Sequence, residues 1–328
     1  MKTNAGRSPM LVSVIALVIG SAGQDGQILV SDLSRLGYKV ISVSRSTIQF
    51  ESLPEAFCDL SQETLAHQFL SNYQPDLIFH VGAVHGSSET QNSIIATNKA
   101  DMYSCHVEIT RNILSWLASN PNTRFHLALS SQMYQASSFA IPVTEMTPTN
   151  PQNFYGQTKS EAWNLLREYR THNNLKVSAS ILFNHASKYS RNDFVFAELA
   201  KQFVEVFNGE RSSISLRNPF ATIDVSSAFE VCNAMMLNVT HFPNEDFVLA
   251  SGRIVRLSEI ITSVASDLGV SNRISNLDYF LHSKTSDSPP IVLADPSKAK
   301  KLLGWQAELT PESILLEIVS HKLKENCN

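Results

Sequence analysis

Residues Ser13 to Gly26 read SVIALVIGSAGQDG: six apolar residues in succession, then glycines at 20, 23 and 26. A short run this apolar suits a strand buried on both faces, as in a parallel sheet. Glycines at its end permit a tight turn, let backbone N–H groups approach a pyrophosphate, and leave room for the next helix to pack closely. The stretch therefore predicts a dinucleotide-binding turn at Gly20, Gly23 and Gly26. The tail before it, MKTNAGRSPM, gives the same run the positive start of a secretory leader. The glycines give the run its other use, and we read it as the first strand of a cytoplasmic protein.

Outward from this turn the chain alternates short apolar runs with helical patterns. YKVISVS, PDLIFHV, RFHLALS and KVSASILFN follow as strands, and the long patterns from Asn92 to Ser119 and from Tyr155 to His172 are the clearest helices. Asn120-Pro121 and Asn173-Asn174 mark their ends. Such alternation predicts an α/β fold, a doubly wound parallel sheet with a smaller C-terminal α/β part. The expected division is a flexible tail over 1–10, a dinucleotide-binding domain over 11–183, and a substrate-binding part over 184–328, interleaved with the sheet.

The chain has 328 residues, 43% of them hydrophobic and 17% charged, with a formal charge of -4, so it can bury a sizeable core and carries no basic field. Nucleic acid is excluded as a partner on that balance, and no segment after the first strand is long and apolar enough to span a membrane. Cys58, Cys105, Cys232 and Cys327 lie far apart, which suits a reducing compartment better than a disulfide framework. His80, His85 and His106 have no metal-binding spacing, and no metal is expected.

Three further features carry chemistry. The tip of the second strand offers Arg45, flanked by Ser44 and Ser46, where an acid would favour a ribose hydroxyl pair; an arginine there would meet a 2′-phosphate and predicts NADP(H). Asp59, followed by Leu60, would either reach the adenine or cap the next helix. Tyr155 and Lys159, four apart at the start of a helix, project from one face, and Ser130 ends the strand before them. A phenol with an ordinary pKa of about 10 needs a neighbouring cation to ionise near neutrality. The three residues thus form a proton relay that would accompany hydride transfer, with Tyr155 and Lys159 also touching the cofactor.

The spacing GxxGxxG, the segment GQDG with Gln24 and Asp25, FYGQTK at 154–159, ILFNH at 181–185, EDFVLASG at 245–252 and DPSKAKKLLGW at 295–305 together resemble the extended short-chain dehydrogenase/reductases. These are the NAD-dependent epimerases and dehydratases that modify nucleotide sugars, and within them the resemblance is closest to the GDP-mannose 4,6-dehydratase family. It implies an NAD(P)-binding Rossmann fold, Gly82 and Ala83 lining the cofactor, Asn184 at the diphosphate region of the sugar nucleotide, and Arg217 paired with a phosphate. It also implies a GDP-linked hexose as substrate and a homodimer or homotetramer.

The chain departs from that pattern at one decisive place. Where the dehydratases carry TSELYG, with a glutamate that removes the C5 proton, this chain has Ser130-Ser131-Gln132-Met133-Tyr134-Gln135. Gln132 can hydrogen-bond but cannot accept a proton as a base near pH 7. Thr285 to Ser288 replace a nucleotide-gripping Arg-Pro-x-Glu segment, and Lys188 and Arg191 stand near where the family has a double arginine. A 4-keto-sugar reductase needs only the relay and NADPH, and is favoured. A true dehydratase would need another carboxylate, such as Glu89, Glu145 or Asp193. A non-catalytic NADP-binding homologue is the third reading, and the intact relay argues against it.

Overall fold

The computed structural model describes residues 14–44, 55–56, 59–84, 95–135, 141–216, 221–274, 276–279 and 292–326. The glycine-rich stretch forms strand β1 (Ile15–Ile19) and helix α1 (Gln24–Arg35) with a tight turn between them. β2 (Lys39–Val43), β3 (Glu55–Ala56), α2 (Glu63–Tyr73) and β4 (Leu77–His80) follow. Helix α3 (Ile95–Tyr103) runs through a π-turn, Ser104–Glu108, into α4 (Ile109–Leu117). β5 (Arg124–Ala128), α5 (Phe154–Asn173) and β6 (Val177–Leu182) complete the first half.

The second half contains β7 (Asn184–Ala186), α6 (Val195–Phe207), β8 (Ser213–Leu216), β9 (Thr222–Ile223), β10 (Val225–Ser227) and α7 (Ala228–His241). β11 (Asp246–Leu249), β12 (Val255–Arg256), α8 (Leu257–Asp267), β13 (Asn276–Tyr279), α9 (Ser297–Leu303) and α10 (Pro311–Asn326) end it.

Seven parallel strands in the order β11-β6-β5-β4-β1-β2-β3 form the central sheet. The order reverses beside β1, the switch that opens a crevice at the carboxyl ends of the strands. Central strands are buried on both faces, so they read as unbroken apolar runs. One face packs Leu17, Ile78, Leu127 and Ile181 against α2, α4 and α5, with Trp163 fully buried among them. The other packs Val18, Phe79 and Phe247 against α1 and α7. A third cluster joins α6, α8 and α10. β11 comes from the second half of the chain yet completes the sheet beside β6.

Candidate active site

The glycine turn is built to a close tolerance. Gly20 has φ +90°, and a Cβ on it would lie 2.5 Å from Gly82 N and Cα, so the ends of β1 and β4 touch through two glycines. A Cβ on Gly26 would lie 2.2 Å from Gly20 O, so α1 can sit this close to the turn only without a side chain there. Gly23 is the N-cap of α1 and supplies no side-chain cap, leaving first-turn N–H groups for an outside acceptor. Asp25 stands in that first turn and Gln24 beside it; both grip the segment after β6. Gln24 Oε1 accepts from Ser187 Oγ at 3.0 Å and Ser190 Oγ at 2.5 Å, and Asp25 faces His185 Nε2 at 3.0 Å. These residues fit a dinucleotide: a helix N-terminus with a Cβ-free approach is suited to a diphosphate.

The relay residues converge at the end of β5. Ser130 Oγ accepts the Gln132 N–H at 3.2 Å, which starts a 3₁₀ turn over Ser131–Met133, and its hydroxyl also bonds the Tyr155 phenol. Asn153 Oδ1 accepts the Gly156 N–H at 2.7 Å and so caps α5. Gly156 presses against the 3₁₀ turn, since a Cβ there would lie 2.1 Å from Gln132 O. One turn on, Lys159 Nζ donates to Ala128 O at 2.8 Å and lies 6.0 Å from the Tyr155 ring centroid. Lys159 is 2% exposed and Tyr155 9%.

Burial sets the protonation of both. It holds the Tyr155 phenol well above its ordinary value, with Cys105 and Asp25 adding and only the Ser130 hydrogen bond opposing. Burial thus outweighs what the Lys159 ammonium, directed to the Ala128 carbonyl, contributes to the phenol. Burial also lowers Lys159 itself to about 8, against Cys105 and Asp25. At neutral pH the relay therefore holds a neutral phenol beside a charged lysine.

A third support comes from the π-turn. His106, fully buried, meets the Tyr155 ring edge-on at 5.1 Å. Its Nε2 accepts the Val84 N–H at 3.2 Å, so Nδ1 carries the hydrogen and donates to Thr158 Oγ1 at 2.8 Å, which donates to Tyr155 O at 2.9 Å. An inserted residue that re-aims a side chain is the usual effect of a π-turn. Sequence reasoning gave His106 no role, because periodicity alone does not reveal the insertion.

Gln132 sits at the strand end with Oε1 accepting from Asn153 Nδ2 at 3.0 Å. Asn153 was missed as its partner, although an Asn three residues before Gly156 is a legible cap. Of the other carboxylates weighed as a base, Glu145 is buried with Oε1 accepting the Val248 N–H at 2.7 Å, and Asp193 is held by Arg191 at 2.7 and 3.0 Å. Both are engaged structurally, Glu145 bracing β11 and Asp193 pairing with Arg191.

Asn184 Nδ2 donates to Asp224 O at 3.2 Å. Asp59 accepts from Ser61 N at 3.1 Å, Ser61 Oγ at 2.6 Å and Gln62 Nε2 at 3.0 Å, so it caps the turn entering α2, while Leu60 is buried beside it. Arg45, Arg217, His85, Glu89 and Thr285 to Ser288 lie outside the described residues. Among the described residues, no cluster of three His, Cys, Asp or Glu side chains is placed to hold a metal, and no helix is long and apolar enough to cross a membrane.

The family model for GDP-mannose 4,6 dehydratase matches residues 17–318. This chain belongs to the GDP-mannose 4,6-dehydratase family. The GDP-mannose 4,6-dehydratase of Yersinia enterocolitica is 25% identical, covering 94% of each chain. Among solved structures, the dTDP-glucose 4,6-dehydratase of Bacillus anthracis in complex with NAD superposes with a TM-score of 0.78 at 17% identity, over 96% of this chain and 97% of that one. RMD from Pseudomonas aeruginosa complexed with NADPH superposes at 0.77 and 19% identity, over 95% and 98%. Members of the GDP-mannose 4,6-dehydratase family belong to the nucleotide-sugar epimerases and dehydratases of the short-chain dehydrogenase/reductase superfamily. At these identities the superpositions establish the doubly wound fold.

Proposed function

We propose that this chain is an NADP(H)-dependent nucleotide-sugar oxidoreductase acting at C4 of a GDP-linked hexose, with 4-keto reduction favoured over 4,6-dehydration. The observation that carries the reading is Gln132: an amide, its oxygen held by Asn153, occupies the strand end where elimination needs a base. The relay supports it from the other side, since a neutral Tyr155 phenol can give a proton to a C4 oxygen. A bound nicotinamide dinucleotide would supply the hydride. Tyr155 would move the proton to O4, Ser130 would hold that oxygen, and Lys159, charged below about pH 8, would stabilise the phenolate left behind.

In this reading Gly20, Gly23, Gln24, Asp25 and Gly26 cradle the diphosphate, Asp59, Leu60, Gly82 and Ala83 flank the cofactor, and Asn184 and Arg217 hold the sugar nucleotide. The choice of NADP(H) rests on Arg45 in the sequence and is paralleled by the NADPH of the Pseudomonas aeruginosa neighbour. The domain division at residue 184, a homo-oligomeric assembly and a cytoplasmic location belong to the same proposal.

A 4,6-dehydratase is the second reading, favoured by the match over residues 17–318. One experiment separates the two. The protein is incubated with GDP-mannose and NADP, and separately with GDP-4-keto-6-deoxymannose and NADPH, and products are identified by mass. Gain of two hydrogens in the second incubation supports the reductase; loss of water in the first supports the dehydratase. No turnover in either, with the dinucleotide bound, would favour a non-catalytic homologue.

A further inference from the structure

The first turn of α1 meets β7 in a part-buried pair, Asp25 with His185. His185 Nδ1 lies 2.8 Å from Phe183 O, and Nε2 lies 3.0 and 3.1 Å from the two Asp25 carboxylate oxygens. A carbonyl and an ionised carboxylate only accept, so with Asp25 ionised these contacts are met by a ring that carries hydrogen on both nitrogens, the imidazolium. Both side chains are about 15% exposed. Burial by itself would lower the His185 pKa; the Asp25 charge, the bond to it and the bond to Phe183 O outweigh burial and leave the pKa raised above 6.5. The pair joins the glycine turn to β7, and Gln24 repeats the link through its bonds to Ser187 and Ser190.

We propose that Asp25 and His185 form a proton-dependent clasp: the imidazolium neutralises the carboxylate in the first turn of α1 and so sets the affinity of the glycine turn for the diphosphate of a nicotinamide dinucleotide. This rests on the dinucleotide reading above. With His185 protonated, the pair is neutral and the helix N-terminus favours an anion. With His185 neutral, the site is one unit of charge more negative, and the Asp25 carboxylate, which keeps its bond from Gln24 Nε2, faces the incoming diphosphate without its imidazolium counter-charge. Since the folded-state pKa of His185 is raised, the clasp is fully closed below the ordinary imidazole value of 6.5 and opens as pH rises through the raised value.

Other ionisable groups lie around the pair on neighbouring elements: Cys232 of α7, whose Sγ lies 3.6 Å from Asp25 O and which Asp32 of α1 also acts on, and Tyr155 and Lys159 of α5, both acted on by the Asp25 charge. Lys159, at about 8, titrates near the same window, so the test must separate it from His185.

The test has two arms on the full chain. In the first, ring resonances of isotopically labelled histidine are followed against pH, with His185→Asn used for assignment. His185 should titrate above 6.5, and its value should fall in Asp25→Asn. In the second, NADPH binding is followed by fluorescence from pH 6.5 to 9.5 at fixed ionic strength. Wild-type affinity should fall about tenfold across the His185 transition, the size of a one-unit shift in a coupled pKa. In Asp25→Asn that step should vanish while any Lys159 step remains. Above the His185 transition Asp25→Asn should bind NADPH more tightly than the wild type, because it lacks the repelling carboxylate; a variant that binds no more tightly at any pH would mark a pair that merely braces the turn and would overturn the clasp. So would a wild-type His185 that titrates at or below 6.5. Absence of NADPH binding at every pH would overturn the dinucleotide reading itself, and the role of the clasp with it.

Discussion

At the scale of single residues, the site turns on which groups can hold or move a proton. Tyr155→Phe keeps the ring that packs edge-on against His106 and removes the acidic hydrogen. Turnover of a 4-keto sugar nucleotide should drop about 10²- to 10⁴-fold while NADPH affinity stays within a few-fold, as read by steady-state kinetics and fluorescence titration. Lys159 sets an alkaline limit: with its pKa lowered to about 8, the charged form that supports the phenolate is present below that value and lost above it. The pH–rate profile should therefore fall on the alkaline side near pH 8, and Lys159→Met should abolish the limb along with most of the rate. Gln132→Glu is close to isosteric, and Asn153 Nδ2 already donates to the oxygen at this position, so the carboxylate should be accommodated. Water loss from GDP-mannose should appear or rise, and deuterium from solvent should enter C5. Dehydration by the wild type that the substitution leaves unchanged would show the base to lie elsewhere. Ser130, Tyr155 and Lys159 were legible in the sequence because each lies at a strand end or one helical turn from the next. Asn153 with Gln132, and Asp25 with His185, were not, since those pairs span 21 and 160 residues.

At the scale of elements, β1, β2, β4, β5 and β6 announce themselves as apolar runs because a parallel strand is covered on both faces. β3, two residues long, has no such signal, and β7, β9, β10 and β12 are two or three residues each, too short for a period. The pattern from Asn92 to Ser119 reads as one helix, and the π-turn at Ser104–Glu108 lies inside it. The glycine turn was legible in type, but the demand at each glycine differs. Gly26→Ala would drive Cβ into the backbone carbonyl of Gly20, and backbone cannot yield as a side-chain tip can. We expect roughly 1 to 3 kcal/mol of destabilisation in chemical denaturation, the range for overpacking, together with a clear loss of dinucleotide affinity. Wild-type stability and affinity in that variant would show that α1 can slide away from the turn.

At the scale of the whole molecule, the two halves share one sheet. β11 follows residue 184 yet bonds to β6, and Asp246 at its start accepts from Trp163 Nε1 at 2.9 Å and Ala179 N at 3.0 Å and pairs with Arg170. An element of the second half is thereby fastened to α5, the helix that carries Tyr155 and Lys159. Unfolding should consequently be a single transition. Trp116, Trp163 and Trp305 all lie in the two clusters that sandwich the sheet, whereas far-ultraviolet circular dichroism also senses α6, α8 and α10. The two signals should give coincident denaturation curves. A separate, earlier dichroism transition would mean that the third cluster melts on its own.

The bond between Asn153 and Gln132 also bears on how such a site changes chemistry over generations. The Gly156 backbone N–H can only donate, so it fixes Asn153 Oδ1 towards itself, turns Asn153 Nδ2 to Gln132, and thereby fixes Gln132 Oε1 inward and its NH₂ outward. The handedness of an amide in the cleft is inherited from a peptide group on another element. Exchanging one nitrogen for oxygen at the cap, Asn153→Asp, would keep the helix capped while reversing the inheritance, because Gln132 would then give its NH₂ to the cap and present oxygen to the cleft. A residue outside the reacting set would thus act as a polarity selector for the residue within it, and descent through position 153 offers a route between donor and acceptor sites that leaves position 132 untouched.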